Sequence, residues 1–345
     1  MSLEKFQASM MGGAIGDTLG MSVEGWSRDQ IRRFIGGVSE PVSSVDIYAK
    51  AYENNPNDEE NFPHKFTTRV LSKGEYTDDT HLSIATAKAL IKGGYSMEGA
   101  VIEHLEMYKR LTSDDEQGAW QSFGYSTRTA IQNLLDGVSS EASGVKANSP
   151  GNGPTIKMGP VGLFMSATNE YEKGMEYAEK VGRMTHLDSR SIGSGVVQAD
   201  AIYSLLEGID RKDFVEQTII VSKNVEERIG KEERTKLYKK FEWILANMEA
   251  NDDAAYDAFQ PNFAVTRNYP FTLFMFQKYW DSPLEGLLKT VNSGGDADST
   301  GAMFGTLAGA KHGKFYPQEW EDVLLDKEVL ISLSSQLFAS NSMLS

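Results

Sequence analysis

Apolar positions recur at helical spacing along most of the chain. In residues 79–93 (DTHLSIATAKALIKG) Leu82, Ala85, Ala89 and Leu90 fall on one face, and Gly93-Gly94 closes the run. Segments 97–111, 125–136, 173–184, 192–207, 231–248 and 283–291 follow the same period. Alternating β-branched runs are few and short; the best, Phe214 to Val221, has flanks that favour a helix. The pattern predicts an all-α fold.

Two stretches break the period and are expected to be loops. Residues 41–76 combine Pro41, Asn54, Asn55, Pro56, Asn57 and Pro63 with a run of acids, and 139–160 is rich in Ser, Gly, Asn and Pro. Two predicted helices carry glycine at every fourth position: Gly12, Gly16 and Gly20 near one end, Gly301, Gly305 and Gly309 near the other. Each interior glycine costs ~1 kcal/mol relative to alanine. Such a face is expected where two helix backbones pack tightly in a core. Neither segment is apolar or long enough to be a membrane GxxxG pair.

Length alone, 345 residues, allows two domains. Hydrophobic residues at 40% supply enough material for a large core, which excludes a disordered chain. Against 34 Lys and Arg stand 49 Asp and Glu, a net charge of −15 that repels phosphate backbones, so no nucleic-acid partner is expected. The chain has no cysteine, which removes thiolate metal sites, iron–sulfur clusters and catalytic thiols. The five histidines (His64, His81, His104, His186, His312) include no pair at HxxxH spacing. A bound metal would therefore have oxygen ligands and be Mg, Mn or Ca. The start, MSLEKFQASM, is not that of a signal peptide, and no apolar run approaches the ~18 residues of a membrane span. The expectation is a soluble, cytoplasmic protein without a membrane partner.

Chemistry concentrates in two acidic motifs. Thr77-Asp78-Asp79-Thr80 precedes one predicted helix, and Gly294-Gly295-Asp296-Ala297-Asp298-Ser299-Thr300 precedes the glycine-faced helix 301–311. Each could simply cap its helix, since Asp and Thr accept from free N–H groups and suit the positive dipole end. One carboxylate would suffice for that. Together the four carboxylates with the Thr77 and Ser299 hydroxyls make an all-oxygen shell that two six-coordinate Mg ions could share. Two ions ~4 Å apart form a recurrent hydrolytic centre. An EF-hand is excluded, because neither motif has the twelve-residue loop with its terminal Glu.

The blocks GGAIGDTLGMSVEG (12–25), YTDDTHLSIATAKAL (76–90), GYSTRTAI (124–131), GNGPTIKMGPVGL (151–163), THLDSRSIGSGVVQADAI (185–202) and VNSGGDADSTGAMFGTLAGAKHG (291–313) together resemble the ADP-ribosylglycohydrolase family. This resemblance implies one all-α domain over 1–345, an orthogonal helical bundle in which 41–76 is a loop insertion. It implies two Mg²⁺ (or Mn²⁺) ions on Thr77, Asp78, Asp79, Asp296, Asp298 and Ser299. The family usually has Thr at the last of these positions; Ser keeps the hydroxyl. Gly151-Asn152-Gly153 would lie along the ADP-ribose, whose diphosphate backbone N–H groups can receive. Lys157 stands where the family often has Arg, and Pro154 replaces a smaller residue. His186 would be the substrate-side histidine. Glu24, placed at the end of the first glycine-rich helix, would lie near the scissile bond as general base or water-orienting group, with a metal-bound water or Asp298 the candidate acid. Asp17 is expected to be structural, bonding to backbone or to a ligand-bearing segment.

The implied reaction is hydrolysis of the bond between the distal ribose C1″ and a modified side chain of an ADP-ribosylated protein or small substrate. An arginine linkage calls for a carboxylate at the cleft mouth, and Asp114, Asp115 and Glu116 are placed for it. Serine-linked ADP-ribose and small N- or O-glycosides are the alternatives within the same fold. A non-enzymatic ADP-ribose reader or crystallin-like protein is the alternative outside enzymes; the intact ligand set favours an enzyme.

Overall fold

The computed structural model describes residues 2–56, 58, 71–112, 123–230 and 235–340. They form eighteen helices and no β-strand, with three isolated bridges between loops. In chain order these are α1 (Leu3–Met21), α2 (Arg28–Ile35), α3 (Ser44–Asn54), α4 (Asp78–Gly93), α5 (Met97–Leu111) and α6 (Tyr125–Leu135). Then come α7 (Gly153–Ile156), α8 (Gly159–Thr168), α9 (Tyr171–Arg183), α10 (Ser189–Leu206), α11 (Arg211–Ile229) and α12 (Leu237–Ala246). The last six are α13 (Asp252–Phe259), α14 (Val265–Lys278), α15 (Pro283–Val291), α16 (Ala297–His312), α17 (Gln318–Asp322) and α18 (Lys327–Ala339). No described helix is long and apolar enough to cross a membrane.

The all-α expectation agrees with this architecture, and residues 214–221 indeed lie inside a helix, α11. Several boundaries differ. Segment 41–76 is not a continuous loop, because α3 occupies Ser44–Asn54. Ser43 caps that helix by accepting from the Asp46 N–H at 3.1 Å, and Ile47 and Ala51 bury its inner face. Pro41 precedes the helix and Asn54 and Asn55 end it, while residues 57 and 59–70, with Asn57 and Pro63, lie outside the described residues. Likewise 139–160 contains the short α7 and the start of α8. Helix α12 is shorter than the predicted 231–248, whose first four residues lie outside the described residues.

Helices α1 and α16, from opposite ends of the chain, make the most extensive helix–helix contact in the molecule. They run antiparallel, and their four-residue glycine repeats interlock. A β-carbon on Gly16 would lie 2.0 Å from the Gly301 carbonyl oxygen, and one on Gly305 would lie 1.9 Å from that of Gly12. Gly309 meets Ala8, and Gly20 meets Ala297, at similarly short range. No side chain fits between these backbones. Both helices are buried on almost every side, so neither shows a polar face. Helices α10, α14 and α15 pack around α16, while α4 and α18 pack against α1.

The contact makes a stability prediction. Gly16→Ala forces a β-carbon into backbone that cannot move aside and should cost about 2–3 kcal/mol or more, read as a lower Tm. Gly193→Ala in α10, where the nearest atom stands at 3.5 Å, should instead be neutral or stabilise by up to about 1 kcal/mol. Equal Tm changes for the two would contradict the interlocked packing.

Candidate active site

Where α1 ends, α16 begins. The register that sets Gly20 on Ala297 brings the turn after α1 against the loop before α16. Gly25 N–H donates to the Gly295 carbonyl at 2.7 Å, and Gly295 N–H donates to the Trp26 carbonyl at 2.8 Å. Gly294 and Gly295 have φ of +70° and +71°, and a β-carbon on either would lie 2.2 Å from a carbonyl oxygen, that of Trp26 or Pro261. The Gly-Gly pair is therefore required by both conformation and approach. It ties the backbone beside Glu24 to the backbone beside Asp296. Glu24 lies in the turn three residues beyond Met21, not at the end of α1 itself.

The second acidic motif is tied to α1 by Asp17. This fully buried carboxylate accepts from Thr77 N–H at 3.0 Å, from Thr80 N–H at 3.1 Å and from the Thr80 hydroxyl at 2.6 Å. Burial pushes its pKa up, and the Thr80 and Thr77 hydrogen bonds pull it back. The structural role expected for Asp17 is what these bonds show. Thr77 caps α4, its hydroxyl oxygen accepting from Asp79 N–H at 3.3 Å. It does not line the cleft, whereas Asp78 and Asp79 do.

Between the two helix starts the carboxylates converge. One oxygen each from Glu24, Asp296 and Asp298 lies within 4.8 Å of the others. Asp296 Oδ2 accepts from Asn152 Nδ2 at 2.7 Å and from Asn268 Nδ2 at 2.6 Å. The Ser299 side chain lowers the pKa of both Asp79 and Asp296. Asp79 Oδ2 and Asp298 Oδ1 are buried without any hydrogen-bond partner among the described residues. Burial first, then the neighbouring acids Asp296, Asp78 and Asp17, push Glu24 up to about 8. Burial pushes Asp296 up to about 7. Asp79 and Asp298 are also raised well above the carboxylate range, by burial and then by the charges of Asp78 and Glu24 respectively.

No lysine or arginine lines this cleft among the described residues. Buried carboxylates without a cation either stay protonated or bind metal. Two orphaned buried oxygens in an all-oxygen donor set fit hard divalent cations.

The acids form the floor of a cleft of about 370 Å³. Gly151, Asn152, Gly153 and His186 line its wall, so every predicted catalytic, metal and ADP-ribose residue except Thr77 lines one cavity. The Gly-Asn-Gly segment has two functions that its sequence did not show. Asn152 directs its amide to Asp296, and the glycines make room for the imidazole. A β-carbon on Gly153 would lie 2.7 Å from His186 Cε1, and one on Gly151 3.0 Å from Nε2.

Two aromatic residues of the cleft went unread in the sequence: Tyr125, 64% exposed, and Phe263, 48% exposed. Tyr125 opens the GYSTR block, a signal that was available; Phe263 and Asn268 lie in no recognised motif. Asp114, Asp115 and Glu116 lie outside the described residues.

The family model described as ADP-ribosylglycohydrolase matches residues 2–343. The chain belongs to the ADP-ribosylglycohydrolase family, whose members hydrolyse glycosidic bonds. It is 27% identical over 97% of its length to an uncharacterized protein of Archaeoglobus fulgidus, covering 96% of that protein. It is 23% identical to the ADP-ribosylarginine hydrolase Tri1 of Serratia proteamaculans, over 98% of this chain and 80% of Tri1. With the human ADP-ribosylhydrolase ARH3 it shares 22% identity over 93% of this chain and 89% of ARH3. A solved structure, titled as an ADP-ribosylglycohydrolase-related protein complex, superposes with a TM-score of 0.66 at 21% identity, covering 98% of both chains. That likeness shows that the ADP-ribosylglycohydrolase fold is shared.

The raised carboxyl groups yield a pH prediction for this ADP-ribosylglycohydrolase. Protonation is favoured in the folded state, so the metal-free protein gains stability from these groups below pH ~4 and loses it as pH rises through about 7 for Asp296 and about 8 for Glu24. A divalent cation replaces the lost protons. Mg²⁺ or Mn²⁺ should therefore raise Tm more at about pH 8 than at about pH 5.5, reversibly with EDTA. A metal-induced shift that is the same at both pH values would contradict the assignment of these groups.

Proposed function

We propose that this chain releases ADP-ribose from modified arginine side chains, cutting the bond between the distal ribose C1″ and the guanidinium nitrogen with the help of two divalent cations. The observation that carries this reading is the convergence of five carboxylates, Glu24, Asp78, Asp79, Asp296 and Asp298, at the floor of one cleft with no lining cation among the described residues. Thr77, Asp78, Asp79, Asp296, Asp298 and Ser299 would hold the two ions, Mg²⁺ or Mn²⁺, which would supply Lewis acidity toward the ribose diol and water.

The chain's own residues divide the remaining work. Glu24 faces the cleft beside Asp296 and Asp298 and is placed to orient a water and take its proton as the C1″–N bond breaks. Asp298 would hold an ion through one carboxylate oxygen, leaving the other as the candidate to give a proton to the leaving nitrogen; its Oδ1 has no hydrogen-bond partner among the described residues. Asn152 and Asn268 orient Asp296 from one side, so that its carboxylate does not swing when substrate enters. Gly151 and Gly153 bring backbone close to the path of the diphosphate, and His186 stands behind them. Tyr125 and Phe263 offer exposed rings on which the nucleobase can stack. With Asp78, Asp79, Asp296 and Asp298 engaged by the ions, Glu24 would remain as a carboxylate for an arriving guanidinium, and no lysine or arginine lines the cleft among the described residues, which favours arginine over serine as the released side chain.

Asp296→Asn and Asp298→Asn should each lower release of free ADP-ribose from an arginine-linked substrate by more than about a hundredfold, as should EDTA. Chromatographic detection of ADP-ribose on separately prepared arginine- and serine-linked peptides checks both points. Near-normal release by both variants would overturn the metal assignment, and preferential release from serine would overturn the choice of linkage.

A further inference from the structure

Lys157 is the only buried lysine among the described residues, and it has no exposed surface at all. It follows α7 directly and makes no salt bridge among the described residues. Its Nζ donates to Thr185 Oγ1 at 2.9 Å. That oxygen lies 2.9 Å from His186 Nδ1 and 3.4 Å from the Gly182 carbonyl. The Gly182 oxygen already accepts from the backbone N–H groups of Thr185 at 3.2 Å and His186 at 3.0 Å. Nε2 of His186 has no hydrogen-bond partner among the described residues, and its ring forms part of the cleft wall between Gly151 and Gly153.

These contacts have a direction. Burial pushes the Lys157 ammonium down to about 7, and below that pH its Nζ has three donors and no acceptor, so Thr185 Oγ1 must accept from it. The threonine proton then needs an acceptor of its own. Gly182, at 3.4 Å, is the more distant choice and already receives two N–H groups, whereas His186 Nδ1 stands at 2.9 Å. A positive charge behind Thr185 also favours a lone pair, not an N–H, on the nearer ring nitrogen. His186 itself stays neutral, because burial first and the Lys157 charge second push its pKa down to about 3. A neutral imidazole that accepts at Nδ1 carries its proton at Nε2.

We propose that Lys157 acts through Thr185 as a positioning residue that locks His186 in the Nε2–H tautomer, presenting one uncharged donor to a phosphate or ribose oxygen in the cleft. The cation that serves the anionic ligand is thereby kept behind the wall, where it does not compete with metal ions for the carboxylates. The tautomer stands on its own, while its consequence for binding rests on the ADP-ribose reading above.

Long-range ¹H–¹⁵N correlation spectra of histidine-labelled protein resolve the tautomers, with His186→Gln identifying the signal. At about pH 6, where Lys157 is an ammonium and His186 is neutral, the wild type should show Nδ1 unprotonated and Nε2 protonated. Lys157→Met and Thr185→Val should each admit the Nδ1–H form and weaken ADP-ribose binding by calorimetry about tenfold, with Tm recorded to confirm folding. Lys157→Arg should restore both the spectrum and the affinity. A wild-type Nδ1–H or doubly protonated ring would overturn the proposal, even if neither variant folded. So would a folded Lys157→Met protein with an unchanged His186 spectrum. The expected spectra in a protein that binds no ADP-ribose would sustain the relay and reject the substrate reading instead.

Discussion

Between Gly16 and Gly301 there is room for backbone and nothing else. The contact extends from Ala8 and Gly309 to Gly20 and Ala297, and the site depends on its register. One end of this seam carries Glu24, Asp296 and Asp298, while Asp17, inside α1, fastens the start of α4 with Asp78 and Asp79. Residues more than two hundred positions apart are thus held on one rigid frame. Six glycines in helix interiors lower helix propensity, each by ~1 kcal/mol. Close packing of two fully buried helices offsets that cost.

The frame stores electrostatic conflict. Burial and mutual repulsion raise the carboxyl groups of Glu24, Asp79, Asp296 and Asp298 together, and the asparagine and serine partners relieve Asp296 only in part. A site with such groups and no internal cation is poorly satisfied by itself and well satisfied by divalent ions. Two oxygens, on Asp79 and Asp298, lack even a hydrogen bond. The net charge of −15 acquires a local meaning here. Two ions bound on Asp78, Asp79, Asp296 and Asp298 would leave about −11, and the floor of the cleft would then draw a diphosphate despite the acidic chain around it.

Much of this was legible in the chain. Helical periodicity marked the all-α class, the glycine repeats marked the close-packed pair, and the two acidic motifs marked the helix starts that now face each other. What stayed hidden was of two kinds. Helix α3 escaped notice because its flanking prolines and asparagines carry a stronger local signal than its few buried positions. Asn152, Asn268, Phe263 and the Lys157–Thr185–His186 relay are tertiary contacts between residues without a motif. Asn152 looked like part of a turn, and only its 2.7 Å bond to Asp296 shows its task. Lys157 read as a departure from a family pattern, and only the fold shows that it is buried against Thr185.

The central claim is that the α1–α16 seam assembles a dinuclear metal centre from both ends of the chain. Anomalous diffraction from crystals of the protein grown with Mn²⁺ tests it most directly. Two peaks ~4 Å apart, enclosed by Asp78, Asp79, Asp296 and Asp298 with Glu24 alongside, are the predicted result. No peak between the starts of α4 and α16, or manganese bound only at surface carboxylates, would contradict it.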